Sequence, residues 1–287
     1  MSNQILVLGA SGRVGGFLAR ELRRRGERPV AAVRHPERLP HGAALETIRF
    51  DFDDEATFRP ALEGIERVFL IARPGDEHAD RTALPFIDEM RRAGVRAVVN
   101  LTAMGVDRLP GNALNTVERS LEASGMAFTH LRPNFFMQIF AAEPLLGGLR
   151  QTGLLQIPAG DATLSFIDAR DIADVAAEAL LNPVHEGQAY TLTGGEALDH
   201  GQVAAAISSA TGRPCRYVAI DEEAARAAMA AGGFPPDRVE RLIGFYRLVR
   251  SGACSPVSNA VEQILGRPPR GFDQFARDNG HIWKDEG

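Results

Sequence analysis

The chain is poor in cysteine, carries no excess of positive charge and contains no long apolar run. Its two cysteines, Cys215 and Cys254, lie far apart and outside any CxxC spacing, so the sequence supports neither a disulfide framework nor a metal site. A net charge of −5 at neutral pH leaves no basic surface of the kind that nucleic acid requires. No stretch reaches the roughly 18 apolar residues of a membrane helix. These absences predict a protein that binds no metal, no nucleic acid and no membrane.

The N-terminus shows no signal peptide, because the chain enters an apolar run at residue 4. We therefore expect a cytoplasmic protein. With 287 residues and 45% hydrophobic content, the chain is long enough for one large core and a modest second lobe. The sequence leaves the oligomeric state open, with a homodimer as one option.

A glycine-rich turn between a predicted strand and a predicted helix is the most informative segment. The apolar residues 4–8 run into three glycines spaced three apart, and apolar residues at helical spacing follow from 14 to 22. This arrangement brings backbone N–H groups and the positive end of a helix to one place, which suits a pyrophosphate. A tight turn without a ligand is the alternative. The residues assigned to the cofactor here are Gly9, Ser11, Gly12, Arg13, Val14 and Gly15.

Arg34, at the end of the second predicted strand (29–33), indicates which dinucleotide binds. About 20 residues after the glycines, such a fold meets the adenosine ribose, and an acidic residue there favours NAD(H). A guanidinium instead offers forked donors to a 2′-phosphate. We therefore predict NADP(H) as the cofactor. Arg13 would add a second positive charge near the phosphates, and its alternative is an exposed residue without a partner.

A third predicted strand ends in alternating Asp and Phe, which suggests a contact with adenine. Asp51 is placed to accept a hydrogen bond from the adenine amino group, with Phe52 beside the ring. The alternative for this segment is a helix N-cap. We assign that capping role to Asp53 or Asp54, ahead of a predicted helix over residues 55–62.

Strands and helices alternate to about residue 150, which predicts an α/β fold with a Rossmann-type doubly wound parallel sheet. We expect an NADP(H)-binding domain over residues 1–150. Residues 151–287 should form mainly a smaller C-terminal substrate-binding lobe, with elements returning to the sheet. The expected strands are 67–71, 97–101, 128–131, 154–157 and 190–192, and the expected helices are 82–92, 114–124, 172–181 and 200–211, the last capped by Asp199, with further helices beyond Asp221.

The loops 72–75, 102–112 and 133–140 are expected to line the site, because ligands in such folds lie beyond the carboxyl ends of the strands. Asn134 is expected to orient the nicotinamide or the substrate through its amide. Further residues assigned to the cofactor are Ala72, Arg73, Thr102 and Pro133. Residues assigned to the substrate are Met104, Phe135, Phe136, Met137, Phe140 and Tyr246, the last beside Phe245 on a later helix. Because most apolar residues lie in a core, we expect about two of the five loop residues to contact ligand.

Several segments together resemble the NmrA-like branch of the atypical short-chain dehydrogenases/reductases. They are GASGRVG (9–15), AVR (32–34), DFD (51–53), LRPNFFMQ (131–138) and FIDARDIA (166–173), together with SPVSNAVE (255–262) and GRPP (266–269). Within this branch the chain is most similar to bacterial proteins described as NAD(P)H azoreductases or NAD(P)H:quinone oxidoreductases. The resemblance implies a Rossmann-type cofactor domain and reduction of an apolar conjugated substrate.

The chain departs from the larger superfamily at the Tyr-x-x-x-Lys pair, in which lysine lowers the tyrosine pKa for proton transfer to a substrate oxygen. The matching positions hold Leu114 and Glu118, and the only lysine is Lys284. Without the pair, alcohol–ketone chemistry lacks its proton donor. Hydride delivery to a quinone, an enone, an imine or an azo compound remains feasible, because water can supply the proton. Thr102 matches the usual catalytic serine and is expected to hydrogen-bond a substrate carbonyl; a strand-end threonine bonded to backbone is the alternative.

Two functions fit these residues. The first is an NADPH-dependent reductase of an apolar conjugated acceptor. The second is a non-catalytic protein that senses NADP(H) and acts through partners, which the resemblance to the NmrA-like branch also allows. The missing Tyr-x-x-x-Lys pair fits both functions, whereas the aromatic loop residues favour a substrate pocket and hence the reductase.

Overall fold

A parallel sheet organises the chain, and the computed structural model describes residues 4–36, 45–73 and 76–284. The strands are β1 (Gln4–Leu8), β2 (Pro29–Val33), β3 (Glu46–Arg49), β4 (Ile65–Ile71), β5 (Ala97–Leu101), β6 (Ala127–Pro133), β7 (Leu154–Ile157), β8 (Gln188–Leu192) and β9 (Arg216–Ala219). The helices are α1 (Arg13–Arg24), α2 (Phe58–Ala61), α3 (Ala79–Ala93), α4 (Ala113–Ala123), α5 (Leu145–Thr152), α6 (Ala169–Leu181), α7 (His200–Thr211), α8 (Glu222–Ala231), α9 (Pro236–Arg250), α10 (Ala260–Leu265) and α11 (Phe272–Asn279).

Within the described residues, seven strands form one sheet in the order β3-β2-β1-β4-β5-β6-β8. Every neighbouring pair in this sheet is parallel, and β7 and β9 form a separate two-stranded parallel sheet. This arrangement confirms the predicted α/β fold with a doubly wound parallel sheet. The bounds of β2, β5, β7 and α7 coincide with those predicted from the sequence.

The predicted helix over residues 55–62 is wrong in its form and in its cap. A 3₁₀ turn (Glu55–Thr57) leads into the short α2, and Asp54, at the N-cap position, makes no side-chain cap bond. The Asp54 carboxylate lies 3.0 Å from Arg49, and the Asp53 carboxylate lies 2.8 Å from Arg73. Both aspartates therefore pair with guanidinium groups, which compete with the backbone N–H groups for the same oxygens.

Contacts divide the chain into two compact units. One comprises the described residues up to Pro133 together with 169–192 and 263–266, and the other comprises 134–168, 193–262 and the described residues from 267. The assignment of a cofactor-binding domain to residues 1–150 and of a substrate-binding lobe to 151–287 stays a prediction. No helix in the described part of the chain is both long enough and apolar enough to span a bilayer.

In the first unit, helices cover both faces of the seven-stranded sheet. Leu6 and Leu8 of β1 belong to an apolar cluster with residues of α3 and α4. Ile5 and Val7 alternate with them, are fully buried, and so face the side on which α1 packs against α6. A strand covered on both faces is expected to be apolar throughout, as β1 is.

The second unit has its own aromatic core. Phe140, Phe166 and Phe272 lie within 5.3 to 6.2 Å of one another, measured between ring centroids. Trp283 is also buried there, and its indole N–H donates to the carbonyl oxygen of Phe140 at 2.7 Å. The hydrogen bond satisfies the one polar group of that side chain, so the ring can be buried without an unpaired donor.

Gly15 places α1 directly against the turn after β1. A Cβ at residue 15 would lie 2.3 Å from the carbonyl oxygen of Gly9 and 2.6 Å from its carbonyl carbon. Both are backbone atoms, so the turn and the helix would have to separate. Residue 15 must therefore be glycine for α1 to begin where it does.

We expect Gly15→Ala to destabilise the protein by about 2 kcal/mol or more, because the added methyl overpacks a backbone contact. The matched control is Gly244→Ala in α9, where a Cβ meets no atom within 4 Å. This control should instead stabilise the protein by about 0.5–1 kcal/mol through helix propensity. Urea unfolding of the two variants and the wild type measures both changes. Equal stability of the Gly15→Ala variant and the wild type would contradict the assignment.

Each unit also holds a buried, neutral histidine. His130 on β6 is 0% exposed and His200 at the start of α7 is 2% exposed. Burial lowers the pKa of each from its ordinary value of 6.5 to about 4. The carboxylates of Glu118 and Asp199 oppose this shift for His130 and His200 respectively, and Arg132 reinforces it for His130.

We expect the free energy of unfolding to fall as the pH drops from about 6.5 to about 4. In this window the unfolded chain binds a proton at each histidine and the folded chain does not, which lowers stability by about 3 kcal/mol per histidine. His200→Phe keeps a ring beside Phe140 and Phe166 but cannot bind a proton, so its loss should be smaller. Urea unfolding at about pH 7 and about pH 4.5 compares the two proteins. The same loss in both would show that His200 does not titrate in this way.

Candidate functional site

The N-terminus of α1 carries backbone N–H groups that have no hydrogen-bond acceptor among the described residues. Gly9 adopts a left-handed conformation with φ of 65°, and the Gly12 N–H donates to its carbonyl oxygen at 2.8 Å. No side chain caps α1, and the N–H groups of residues 13–15 have no acceptor among the described residues. By contrast, Asn112 caps α4 and Asp199 caps α7 with their side chains.

This uncapped turn lies where the strand order of the sheet reverses. β1 lies between β2 and β4, so successive crossovers leave it in opposite directions. Ligands in doubly wound sheets bind outside the carboxyl ends of the strands at such a point. A Cβ at Gly12 would lie 3.1 Å from the Gly9 carbonyl oxygen, so a side chain there would be tightly packed against the backbone of the turn. Free N–H groups, the positive helix end and the close backbone fit a pyrophosphate.

Arg13 and Arg34 are exposed, and neither forms an ion pair with any described residue. Arg13 is the first residue of α1, and Arg34 directly follows the carboxyl end of β2. Both guanidinium groups are thus available to an anion at this edge of the sheet. Ser11 is also exposed within the turn.

Arg73 connects the predicted adenine residues to the end of β4. Its guanidinium lies 3.0 Å from the Asp51 carboxylate and 2.8 Å from that of Asp53. The hydrogen bond to Asp53 raises the pKa of Arg73, with burial opposing. Phe52 is partly buried, and its ring packs edge-on against Phe50 at 4.9 Å. The adenine role of Asp51 and Phe52 and the cofactor role of Ala72 and Arg73 stay predictions.

Thr102 lies at the end of β5 and is bonded to a buried ion pair. Its hydroxyl donates to Oε1 of Glu118 at 2.7 Å and lies 3.5 Å from the carbonyl oxygen of Leu131. Arg132 donates to both oxygens of Glu118, from Nε at 3.0 Å and from Nη2 at 2.7 Å. The Glu118 side chain is 0% exposed and that of Arg132 is 12% exposed. The hydrogen bond to Glu118 raises the pKa of Arg132.

Glu118 and Arg132 were not predicted from the sequence as partners of Thr102. A signal was present, because Glu118 occurs among the buried positions of α4 beside Val117 and Leu121. A charged residue at a core position is rarely left unpaired. Its partner could not be read from the sequence, because Arg132 lies on the other side of a turn, in β6.

The hydroxyls of Tyr190 and Tyr217 bond groups other than Thr102. Tyr190 lies 2.9 Å from Nδ1 of His185, and Tyr217 donates to the carbonyl oxygen of Gly160 at 2.9 Å. Burial raises the pKa of Tyr246 to about 12. On α4, residue 114 is a leucine and residue 118 is the buried glutamate that pairs with Arg132.

Asn134 uses both of its amide protons inside the second unit. Its Nδ2 donates to the Ser165 hydroxyl at 2.8 Å and to the carbonyl oxygen of Cys254 at 2.7 Å. An NH₂ group has two protons, so only the amide oxygen is left to meet a ligand in this geometry. The predicted role of Asn134 in orienting nicotinamide or substrate is not tested by this arrangement.

The residues predicted to contact substrate differ in their exposure. Met137 and Phe140 are 2% and 0% exposed and belong to the apolar core of the second unit. Phe135, Phe136 and Tyr246 are partly buried. Phe135 packs edge-on against Phe245, whose ring is 44% exposed, at 6.3 Å.

Met104 and Pro133 belong to the first unit. The Met104 N–H donates to the carbonyl oxygen of Pro133 at 2.9 Å, which ties together the loops that follow β5 and β6. Met104 is partly buried and Pro133 is buried. Their assignments to substrate and cofactor stay predictions. The described residues contain no group of three or more His, Cys, Asp or Glu arranged to hold a metal ion.

The chain matches known proteins over nearly its full length. A family model described as NAD(P)H-binding matches residues 9–183. The chain is 36% identical over 282 residues to an NAD(P)H azoreductase of Xenophilus azovorans, which covers 95% of this chain and 96% of that protein.

Two solved structures show the same fold. The NADPH-dependent quinone oxidoreductase of Escherichia coli, complexed with NADPH, has a TM-score of 0.84 at 24% identity and covers 96% of this chain and 99% of its own. NmrA, a negative transcriptional regulator in complex with NADP, has a TM-score of 0.76 at 19% identity and covers 98% and 96%. The chain therefore belongs to the NAD(P)H-binding family and is an NAD(P)H-dependent oxidoreductase.

Proposed function

We propose that this oxidoreductase transfers hydride from NADPH to an apolar conjugated acceptor, without a tyrosine or lysine that protonates the product. The observation that carries the proposal is the buried ion pair at Glu118. We take residue 118 as the position at which the superfamily has lysine; it holds a carboxylate, and Arg132 donates to both of its oxygens. Leu114, which we take as the tyrosine position, has no proton to donate.

The first unit offers three elements that suit NADPH. The free N–H groups of residues 13–15 would bind the pyrophosphate at the positive end of α1. Arg34 would bind the 2′-phosphate, with Arg13 adding a second positive charge. Because neither guanidinium has an ion-pair partner among the described residues, neither has to break a contact to bind phosphate.

The kind of acceptor that can be reduced depends on whether the protein can donate a proton to it. When bound, NADPH supplies the hydride. The carboxylate of Glu118, paired with Arg132, accepts a hydrogen bond from the Thr102 hydroxyl and donates none. The acceptor must then hold the incoming negative charge until water protonates it. A quinone, an enone or an aromatic azo compound can do so because it delocalises the charge, and an imine reacts as its protonated iminium form, which becomes neutral on taking hydride. A simple ketone instead needs a proton donor at its oxygen.

The second unit supports an apolar acceptor through its half-exposed rings. Phe135 and Phe245 lie edge to face, and a little under half of the Phe245 surface is exposed. Flat aromatic molecules pack well against such rings. We assign the substrate contact to Phe135 and Phe136. Met137 and Phe140 are buried in the apolar core of the second unit and are not available to a substrate.

The relatives also favour a reductase over a sensor. The azoreductase is similar over 95% of this chain at 36% identity, whereas the regulator NmrA shares the fold at 19% identity. A non-catalytic NADP(H) sensor stays the alternative proposal, and the acceptor assay described below distinguishes the two.

We expect NADPH to bind more tightly than NADH by about tenfold or more, because charge-assisted hydrogen bonds to the 2′-phosphate contribute about 1.5–3 kcal/mol. The margin should shrink at high salt. Arg34→Asp should abolish or reverse it. Arg28→Asp changes the same charge at the opposite end of β2, where Arg28 is exposed, and should leave the margin intact. Calorimetric titration of both cofactors measures these affinities, and equal wild-type affinities for NADPH and NADH would refute the assignment.

We expect quinones and azo dyes to be reduced with NADPH, while unactivated aliphatic ketones react very slowly or not at all. The rate should show no dependence on a tyrosine-like ionisation, because no tyrosine donates the proton. NADPH absorbance followed over a panel of acceptors, with Tyr190→Phe, Tyr217→Phe and Tyr246→Phe as variants, tests this. Efficient ketone reduction that collapses in one tyrosine variant would overturn the mechanism, and no reduction of any acceptor despite tight NADPH binding would favour the sensor.

A further inference from the structure

The Thr102 hydroxyl has one proton, and its surroundings decide where that proton points. Of its two near acceptors, Oε1 of Glu118 lies at 2.7 Å and the Leu131 carbonyl oxygen at 3.5 Å. A carboxylate can only accept hydrogen bonds. The shorter contact is therefore a donation from Thr102 to Glu118, and it is strengthened because the acceptor is charged.

Arg132 fixes the position of the Glu118 carboxylate, which accepts the hydrogen bond from Thr102. Its guanidinium grips both carboxylate oxygens, and its Nη1 lies 3.4 Å from Asp107 on the other side. The Glu118 side chain is fully buried, so water cannot replace either partner. These contacts hold the carboxylate in place, and its Oε1 is the nearer of the two acceptors within reach of the Thr102 hydroxyl. Glu118 is thus a positioning residue for the Thr102 hydroxyl.

With its proton committed, Thr102 presents only lone pairs to a ligand. It can accept a hydrogen bond but cannot donate one to a carbonyl oxygen. This differs from the role expected from the sequence, in which the hydroxyl bonds a substrate carbonyl. Quinones and azo compounds carry no N–H or O–H donor at the reacting atoms, whereas the carboxamide of a nicotinamide carries an N–H donor.

We propose that Thr102 accepts a hydrogen bond from the carboxamide N–H of the nicotinamide, in an orientation fixed by the Glu118–Arg132 ion pair. The location fits, because Thr102 ends β5, the neighbour of β4, at the carboxyl edge where ligands of such sheets bind. The proposal rests on the proposed use of NADPH. Its consequence is that Thr102 orients the cofactor ring and does not polarise the acceptor.

The test compares NADP⁺ with its 3-acetylpyridine analogue, in which a methyl group replaces the carboxamide NH₂. Calorimetry should show that the wild type binds NADP⁺ about fivefold more tightly than the analogue, the effect of one neutral hydrogen bond. Thr102→Val should abolish this preference and Thr102→Ser should keep it. Thr116→Val, the same change on α4 at a residue that bonds only the Asn112 backbone, should keep it as well.

Glu118→Gln tests the orientation of the Thr102 hydroxyl. Oε1 of Glu118 accepts from both Thr102 and Nε of Arg132, whereas Oε2 accepts from Nη2 over the shorter distance of 2.7 Å. With the amide oxygen of the glutamine at the position of Oε2, the NH₂ group takes the position of Oε1 and donates to Thr102, which reverses the direction of that hydrogen bond. The preference for NADP⁺ should then be lost, while affinity for 2′-phospho-ADP-ribose, which lacks nicotinamide, should not change. A purely structural role would weaken both ligands alike. If this variant does not fold, as judged by circular dichroism, the Thr102 variants decide the question.

The outcomes separate this inference from the proposed function. Thr102→Val that keeps the wild-type preference, in a protein that binds NADPH and reduces quinones, overturns the inference and leaves the function standing. The inference is also overturned if Thr102→Val leaves NADP⁺ affinity unchanged and raises only the quinone KM, because Thr102 would then contact the acceptor. A wild type that binds NADP⁺ with the expected preference but reduces no acceptor supports the inference and contradicts the function.

Discussion

The contact between α1 and the turn after β1 is the constraint on which the candidate site depends. Gly15 lies so close to the Gly9 carbonyl that any side chain would displace the backbone. This contact starts α1 at the carboxyl edge of β1, with its first N–H groups free. Since β1 is the strand at which the sheet order reverses, the same contact fixes both the first crossover of the fold and its anion-binding position.

The buried ion pair of Glu118 and Arg132, unlike the Gly15 contact, is not explained by packing. Burying two charges is costly, and an apolar pair of similar size would often be as stable or more so. Stability alone therefore does not explain a carboxylate and a guanidinium between β6 and α4. The need to orient the Thr102 hydroxyl at the end of β5 explains this pair, because no apolar residue could accept a hydrogen bond from that hydroxyl. The ion pair is better understood as the support of Thr102 than as a stabilising element.

Local sequence patterns predicted most elements of the fold. The elements that were not predicted depend on contacts between residues distant in sequence. β2, β5 and α7 were predicted to the residue because apolar runs and the Asp199 cap act within a few positions. The cap at Asp53 or Asp54 failed because Arg49 and Arg73 compete for those carboxylates. β9 was missed because it is a short, largely exposed strand, whose pairing with β7 follows from tertiary structure.

The same distinction between local and distant contacts explains which residues of the candidate site could be assigned from the sequence. The glycine turn and Arg34 could be assigned from the sequence because their chemistry is local. The partners of Asn134 and Thr102 could not, and they change what these side chains can do: the Asn134 protons go to Ser165 and Cys254, and the Thr102 proton goes to Glu118. In the proposed reductase, Thr102 therefore cannot donate a hydrogen bond to the acceptor's oxygen. Acceptors would then be selected by their shape and ease of reduction rather than by a hydrogen bond from Thr102, which suits quinones and azo compounds alike.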